Sequence, residues 1–120
     1  MNNTDEIADA VARFLVSKKA GDVLVIDLRE TAPFICDSFV VATAFTRDHA
    51  KALARDTEDL LADMGLGLHH KEGYDSGKWV LLDAGELVVH IMLRELREFY
   101  ALESLWADAP LKTYDDTEAA

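Results

Sequence analysis

Apolar residues recur along this chain of 120 residues at two different spacings, and the changes of spacing mark out its elements. Ile7, Val11, Phe14 and Leu15 fall three or four apart and predict a first helix. Asn3 or Thr4 is placed to cap it, Asp5 and Glu6 suit the positive end of its dipole, Lys18 and Lys19 suit the negative end, and Gly21 is its stop. A longer stripe, Ala50, Leu53, Ala54, Thr57, Leu60, Leu61 and Met64, predicts a helix capped by Thr46 and ended by Gly65. Between the two lie residues 22–28 and 38–43, short β-branched runs that read as buried strands. Residues 66–71 read as a weaker strand and 72–77 as a loop.

The last third opens on a doubly apolar hairpin, Trp79-Val-Leu-Leu-Asp83-Ala-Gly-Glu86-Leu-Val-Val-His90-Ile-Met92. With Ala84 and Gly85 as the central turn residues, the register pairs Asp83 with Glu86, Leu82 with Leu87, Leu81 with Val88, Val80 with Val89 and Trp79 with His90. Val80, Leu82, Leu87, Val89 and Ile91 then line one face, and Trp79, Leu81, Val88, His90 and Met92 the other. Neither face is polar, so both need a cover. A helical segment at 94–100 and a short one at 102–106 follow, and the acidic tail at 111–120 has little to bury and is expected to fray. The order predicts an α/β (α+β) fold, a mixed sheet of about five strands flanked by helices, forming one domain over residues 1–110.

Half the residues are hydrophobic and only two are proline and six glycine, as in a globular protein. The lone Cys36 has no internal partner for a disulfide. No apolar run approaches the roughly 20 residues of a membrane span, and the acids at the start do not resemble a secretion signal, so a cytoplasmic location without membrane contact is expected. Acidic residues number 23 against 12 basic, a formal charge of −11. Such a surface repels phosphate backbones, so no direct nucleic-acid contact is expected, and it attracts a basic protein partner. Solubility alone is a competing reason for the same acidity.

The chain offers little catalytic chemistry. His69 and His70 are neighbours on a strand and point to opposite faces, and His49 and His90 lack ligand spacing, so no metal is expected. Cys36 stands beside Asp37, which opposes thiolate formation. The turn Thr43-Ala-Phe-Thr46 has no glycine to cradle phosphate. Asp27 and Asp83 each end a strand and could hold magnesium for nucleotidyl transfer, but residue 29 is arginine where an Asp-x-Asp pair would need an acid, and turn capping is the favoured reading. No catalytic residue and no cofactor is expected. Tyr74, Trp79, Phe99, Tyr100 and Trp106 remain as large amphipathic rings. Phe99 and Trp106 are expected to fill the core, while Trp79 lies at the open end of the hairpin as a contact residue.

Residues 22–28, Asp37-Ser-Phe-Val-Val-Ala42, Lys78-Trp-Val-Leu-Leu-Asp83 with Gly85, Val88-Val-His-Ile91, Arg97-Glu-Phe-Tyr100, Leu102-Glu103, Leu105-Trp106 and Asp108-Ala-Pro110 together resemble the ribosomal silencing factor family, RsfS, also called Iojap-like. The resemblance spans residues 5–110. It implies a nucleotidyltransferase-like sheet without that chemistry, and binding to the large ribosomal subunit through its L-fourteen-type protein. That docking would bar the small subunit and repress translation, and the free protein would be able to form a homodimer. The expected contact surface comprises Trp79, Leu81, Val88 and Met92, with Tyr74, Asp75, Lys78, Asp83, Glu86 and His90 around them. Two positions depart from the family pattern: Thr43-Ala-Phe-Thr46 replaces a glycine-containing turn, and Ala84 replaces an aromatic. A magnesium-dependent nucleotidyltransferase-like enzyme and a plain dimerisation module are the alternative readings.

Overall fold

The computed structural model describes residues 3–115. Their elements run α1 (Asn3–Ser17), β1 (Gly21–Asp27), β2 (Ser38–Ala44), α2 (Arg47–Asp63), β3 (His70–Glu72), β4 (Trp79–Asp83), β5 (Leu87–Leu93), α3 (Arg94–Tyr100), α4 (Leu102–Leu105) and β6 (Leu111–Tyr114). The strands form one mixed sheet in the order β3-β4-β5-β2-β1-β6. Its centre, β2 beside β5, is parallel, and every other neighbouring pair is antiparallel.

The two helical stripes are buried as their spacing requires. Val11, Ala12 and Leu15 of α1, with Ala50, Leu53, Ala54 and Leu61 of α2, pack on the face of the sheet that carries Val40, Ala42, Val80, Leu82, Leu87, Val89 and Ile91. Burying each of the larger side chains is worth roughly 1.5–3 kcal/mol. Thr46 caps α2, accepting the His49 N–H at 3.0 Å from an extended backbone. Thr46→Ala is therefore expected to lower stability by about 1 kcal/mol, read as an earlier urea midpoint with an unchanged slope.

Helix α1 ends differently from expectation. Lys19 takes the left-handed conformation at φ 73°, with Ala20 N–H donating to Leu15 O and Lys19 N–H to Val16 O, each at 3.0 Å. The stop is thus a Schellman motif closed by a lysine, two residues before Gly21. Gly21 serves another purpose: a Cβ there would lie 2.8 Å from the Phe45 ring, which covers it. At the start of α1, Asn3 and Thr4 are both helical, and the Thr4 hydroxyl donates to Glu86 at 2.8 Å.

Three further expectations are corrected. The hairpin register is offset by two, pairing Trp79 with Met92, Val80 with Ile91, Leu81 with His90, Leu82 with Val89 and Asp83 with Val88. Gly85, at φ 90°, is the first central turn residue, with Glu86 second and the Ala84 N–H donating to Leu87 O at 2.9 Å. A positive φ at that position belongs to glycine, which moves the turn by one residue. An offset of two keeps every side chain on its face, so both apolar rows stand as expected. The weak strand shrinks to β3, because Leu66 and Leu68 pack on the first core as loop residues. Residues 111–114 do not fray: they form β6 along the outer edge of β1, from Val23↔Tyr114 to Ile26↔Leu111. Tyr114 is buried there and its hydroxyl donates to Asp9 at 2.7 Å. Residues 116–120 of the expected tail lie outside the described residues.

Candidate docking surface

The second face of the sheet has its own core, built from Leu24, Ile26, Phe39, Val41, Val88 and Met92, and it is roofed by Leu28, Ala32, Cys36, Leu102 and Ala109 with Leu96 and Trp106. The roof is α3, α4 and the turn after them, joined by the loop between β1 and β2. It is held down by a charge: Arg97, 6% exposed, donates from Nη1 to Thr43 Oγ1 at 2.8 Å and from Nη2 to Glu103 Oε2 at 3.3 Å. The two short helices meet at Ala101, whose φ of 43° is left-handed without being glycine. Cover is incomplete over β4, where Trp79 and Leu81 are only half-buried.

An aromatic series runs from solvent into this core. Phe99 meets Tyr100 edge-on at 4.9 Å, Tyr100 leans on Trp79 at 5.1 Å, and Trp79 lies 6.0 Å from His90. Phe39 then meets His90 at 4.5 Å and Trp106 at 6.3 Å, both edge-on. Trp79 Nε1 donates to His90 Nδ1 at 3.1 Å, which places the ring proton on His90 Nε2. Burial lowers the His90 pKa to about 4, so the ring is neutral at pH 7. The outer end of the series is open: Phe99 is 78% exposed and Tyr100 49%, and Leu105 on α4 is 67% exposed.

The ten residues expected at a contact surface divide by placement. Trp79 and Leu81 stand together at the edge of the roof. Val88, His90 and Met92 share their face but are buried beneath the roof, because β5 is an interior strand covered on both sides. Tyr74 packs against the first core instead, with Lys71 over its ring at 5.3 Å. Asp75 and Lys78 are exposed before β4. Asp83 and Glu86 lie at the far end of the hairpin, where the Gly85 N–H donates to Asp83 Oδ1 at 2.8 Å. Sequence reasoning missed Leu105 and misplaced Phe99. The core position on α3 goes to Arg97, and only the run Phe99-Tyr100 beside Trp79 could have signalled an apolar outer surface.

The other candidate chemistry is not assembled. Asp27 shares the α1 face with Val23 and Val25 and is held by Arg29 Nη2 at 2.7 Å, while Asp83 stands on the opposite face with Trp79 and Leu81. The hydrogen bond from Arg29 keeps the Asp27 carboxyl below its ordinary pKa. Two acids on opposite sides of a sheet cannot share one magnesium ion. Cys36 is buried, donates to Ser38 O at 3.4 Å, and burial pushes its pKa up to about 11, which removes thiolate character at pH 7. Among the described residues no three of His, Cys, Asp and Glu gather closely enough to hold a metal, and no helix is long and apolar enough to cross a membrane.

Fold and site together define a single-sheet α/β protein with a solvent-facing aromatic patch at the edge of its roof. The chain belongs to the RsfS family, whose profile, described as ribosomal silencing factor during starvation, matches residues 1–120. It is 34% identical over 113 residues to the ribosomal silencing factor RsfS of Bacillus subtilis, covering 94% of this chain and 95% of that protein. A mouse protein named mitochondrial assembly of ribosomal large subunit protein 1 is 30% identical over 115 residues, spanning 90% of this chain and 47% of that protein. A crystal structure of a Chromobacterium violaceum protein superposes with a TM-score of 0.81 at 34% identity, covering 86% of this chain and 85% of that one.

Proposed function

We propose that this chain is a cytoplasmic silencing factor that docks on the L-fourteen-type protein of the large ribosomal subunit and sterically prevents the small subunit from joining. The mechanism is occupancy, and no bond is made or broken. The observation that carries the reading is the patch at the roof edge, where exposed Phe99 and Tyr100 run onto half-buried Trp79. A monomer rarely leaves such a cluster in water without a partner, and large rings at the centre of an interface supply most of its energy. Exposed Glu95 and Glu98 on α3 fringe it with negative charge, which suits a basic ribosomal protein. The family description and the name of the mouse relative support the ribosome, and its large subunit, as the target.

The test is light scattering of purified large and small subunits as they join. The protein should suppress the signal, and undiminished joining would overturn the reading. Trp79→Ala is expected to weaken co-sedimentation with the large subunit by about 2 kcal/mol, some thirtyfold. Because that change also leaves His90 Nδ1 without its donor, Phe99→Ala is the companion variant. Its side chain is largely in solvent, so it should lower binding with the unfolding midpoint unmoved.

A further inference from the structure

The twelve Lys and Arg side chains divide evenly, and the division is spatial. Six are ion-paired: Arg13 with Asp9, Arg29 with Asp27 and Asp5, Arg55 with Asp56, Lys71 with Glu58, Arg97 with Glu103 and Lys112 with Asp9. The other six, Lys18, Lys19, Arg47, Lys51, Lys78 and Arg94, have no carboxylate within 4.0 Å among the described residues. All six lie at one end of the sheet. Ala44 is paired with Leu93, Gly21 with Thr43 and Trp79 with Met92, so β2 and β5 finish where β1 and β4 begin. Lys18 and Lys19 precede β1, Arg47 and Lys51 open α2 after β2, Lys78 precedes β4, and Arg94 follows β5.

Contacts tie these segments together. His49 Nε2 meets Lys18 O at 3.2 Å, the His49 and Phe45 rings stack at 5.9 Å, and the Arg94 guanidinium lies 5.2 Å above Phe45. Gly77 abuts Arg47 and Lys51 so closely that a Cβ on it would be 3.0 Å from the Arg47 backbone. Asp22, Asp48, Asp75, Glu95, Glu98 and Asp115 temper the charge here, but none is ion-paired with the six cations. At the opposite end stand Asp5, Glu6, Asp27, Glu30, Asp37, Asp83 and Glu86, with Arg29 the cation among them and already paired. The chain is therefore electrostatically uneven, with its unpaired cations gathered among acids at one end and an acidic cluster at the other.

We propose that the cationic end is a contact surface for the phosphate backbone of RNA, which on the silencing reading given above is ribosomal RNA beside the protein docking site. Lys78 adjoins Trp79, so the cationic end is continuous with the aromatic patch. RNA fits better than an acidic protein for two reasons. The unpaired cations are spread over four separate chain segments, as a tracked backbone requires. Half-exposed Phe45, with His49 and Arg94 against it, also supplies planar groups of the kind unpaired bases stack on.

The test compares the wild type with the triple variant Lys19→Gln, Arg47→Gln, Arg94→Gln, checked for an unchanged circular dichroism spectrum, in binding to purified large subunits over rising salt. Three lost phosphate contacts should flatten the plot of log affinity against log salt by about two to three and weaken binding about tenfold at physiological salt. Trp79→Ala should weaken binding with its slope intact. A triple variant with the wild-type slope overturns the proposal. So does a loss reproduced in full on the isolated L-fourteen-type protein, because no RNA is present there. Should the wild type fail to bind subunits, the docking reading falls by itself and a labelled single-stranded RNA decides. Salt-sensitive binding that the triple variant loses upholds the cationic end, and no binding overturns it.

Discussion

Arg97→Met is expected to lower the stability of this fold by about 3 kcal/mol, the largest loss foreseen for any single polar group in it. The guanidinium is 6% exposed and bridges the sheet, at Thr43, to the roof, at Glu103. Methionine fills much of the volume but leaves the Glu103 carboxylate without its cation and the Thr43 hydroxyl without its donor. Truncating one partner of a buried pair costs about 3–5 kcal/mol, and the lower figure applies because Glu103 keeps 36% of its side chain in solvent. Urea denaturation measures the loss. Hydrogen exchange should locate it in residues 94–106, and the double variant Arg97→Met, Glu103→Gln should recover part of it. An unmoved midpoint would show that the roof is held by Leu96, Leu102 and Trp106 alone.

The second large effect is on acid stability. His90 is neutral in the folded chain because burial lowers its pKa to about 4, while the unfolded chain has an ordinary histidine near 6.5. Between those values the unfolded state binds the extra proton, so stability rises with pH there. The contribution is complete above about pH 6.5 and is lost as pH falls toward 4, amounting to about 3 kcal/mol over the window. Below that window the lowered pKa of Asp27 adds a separate loss as its carboxylate protonates in turn. His90 faces Trp79 and Phe39 on its side of the sheet, with no acid touching the ring to blunt the effect. Denaturation midpoints from pH 7 to 4 should show the slope in the wild type and lose most of it in His90→Gln. Equal slopes would place the acid sensitivity elsewhere.

Much of the architecture could be read before any coordinates. Period decided it: apart from Phe14 and Met64 the stripes on α1 and α2 cover the first face, and strict alternation sorted the hairpin correctly onto two faces. Thr46 declared itself by its side chain and position. What escaped were features whose cause is not local. The two-residue offset follows from the φ that Gly85 adopts, and β6 exists because β1 offers an open edge to a four-residue segment too short to show a period. Arg97 inside and Phe99 outside invert the usual preference, since the buried Thr43 hydroxyl and the half-buried Glu103 carboxylate wait for the guanidinium. The −11 total is correct and still misleads, because which cations are neutralised is decided by neighbours in space.

Pairing of β1 with β6 sets a schedule as well as an edge. Val23 finds its partner at Tyr114, nearly the whole chain away, and the central strands β2 and β5 are separated by α2, β3 and β4. Contacts so distant along the polymer delay the rate-limiting nucleus, and a newly made chain must extend to Tyr114 before its opening strand is sheltered. Until then the outer edge of β1, with its apolar Leu24 and Ile26, stands open to mispairing with other strands.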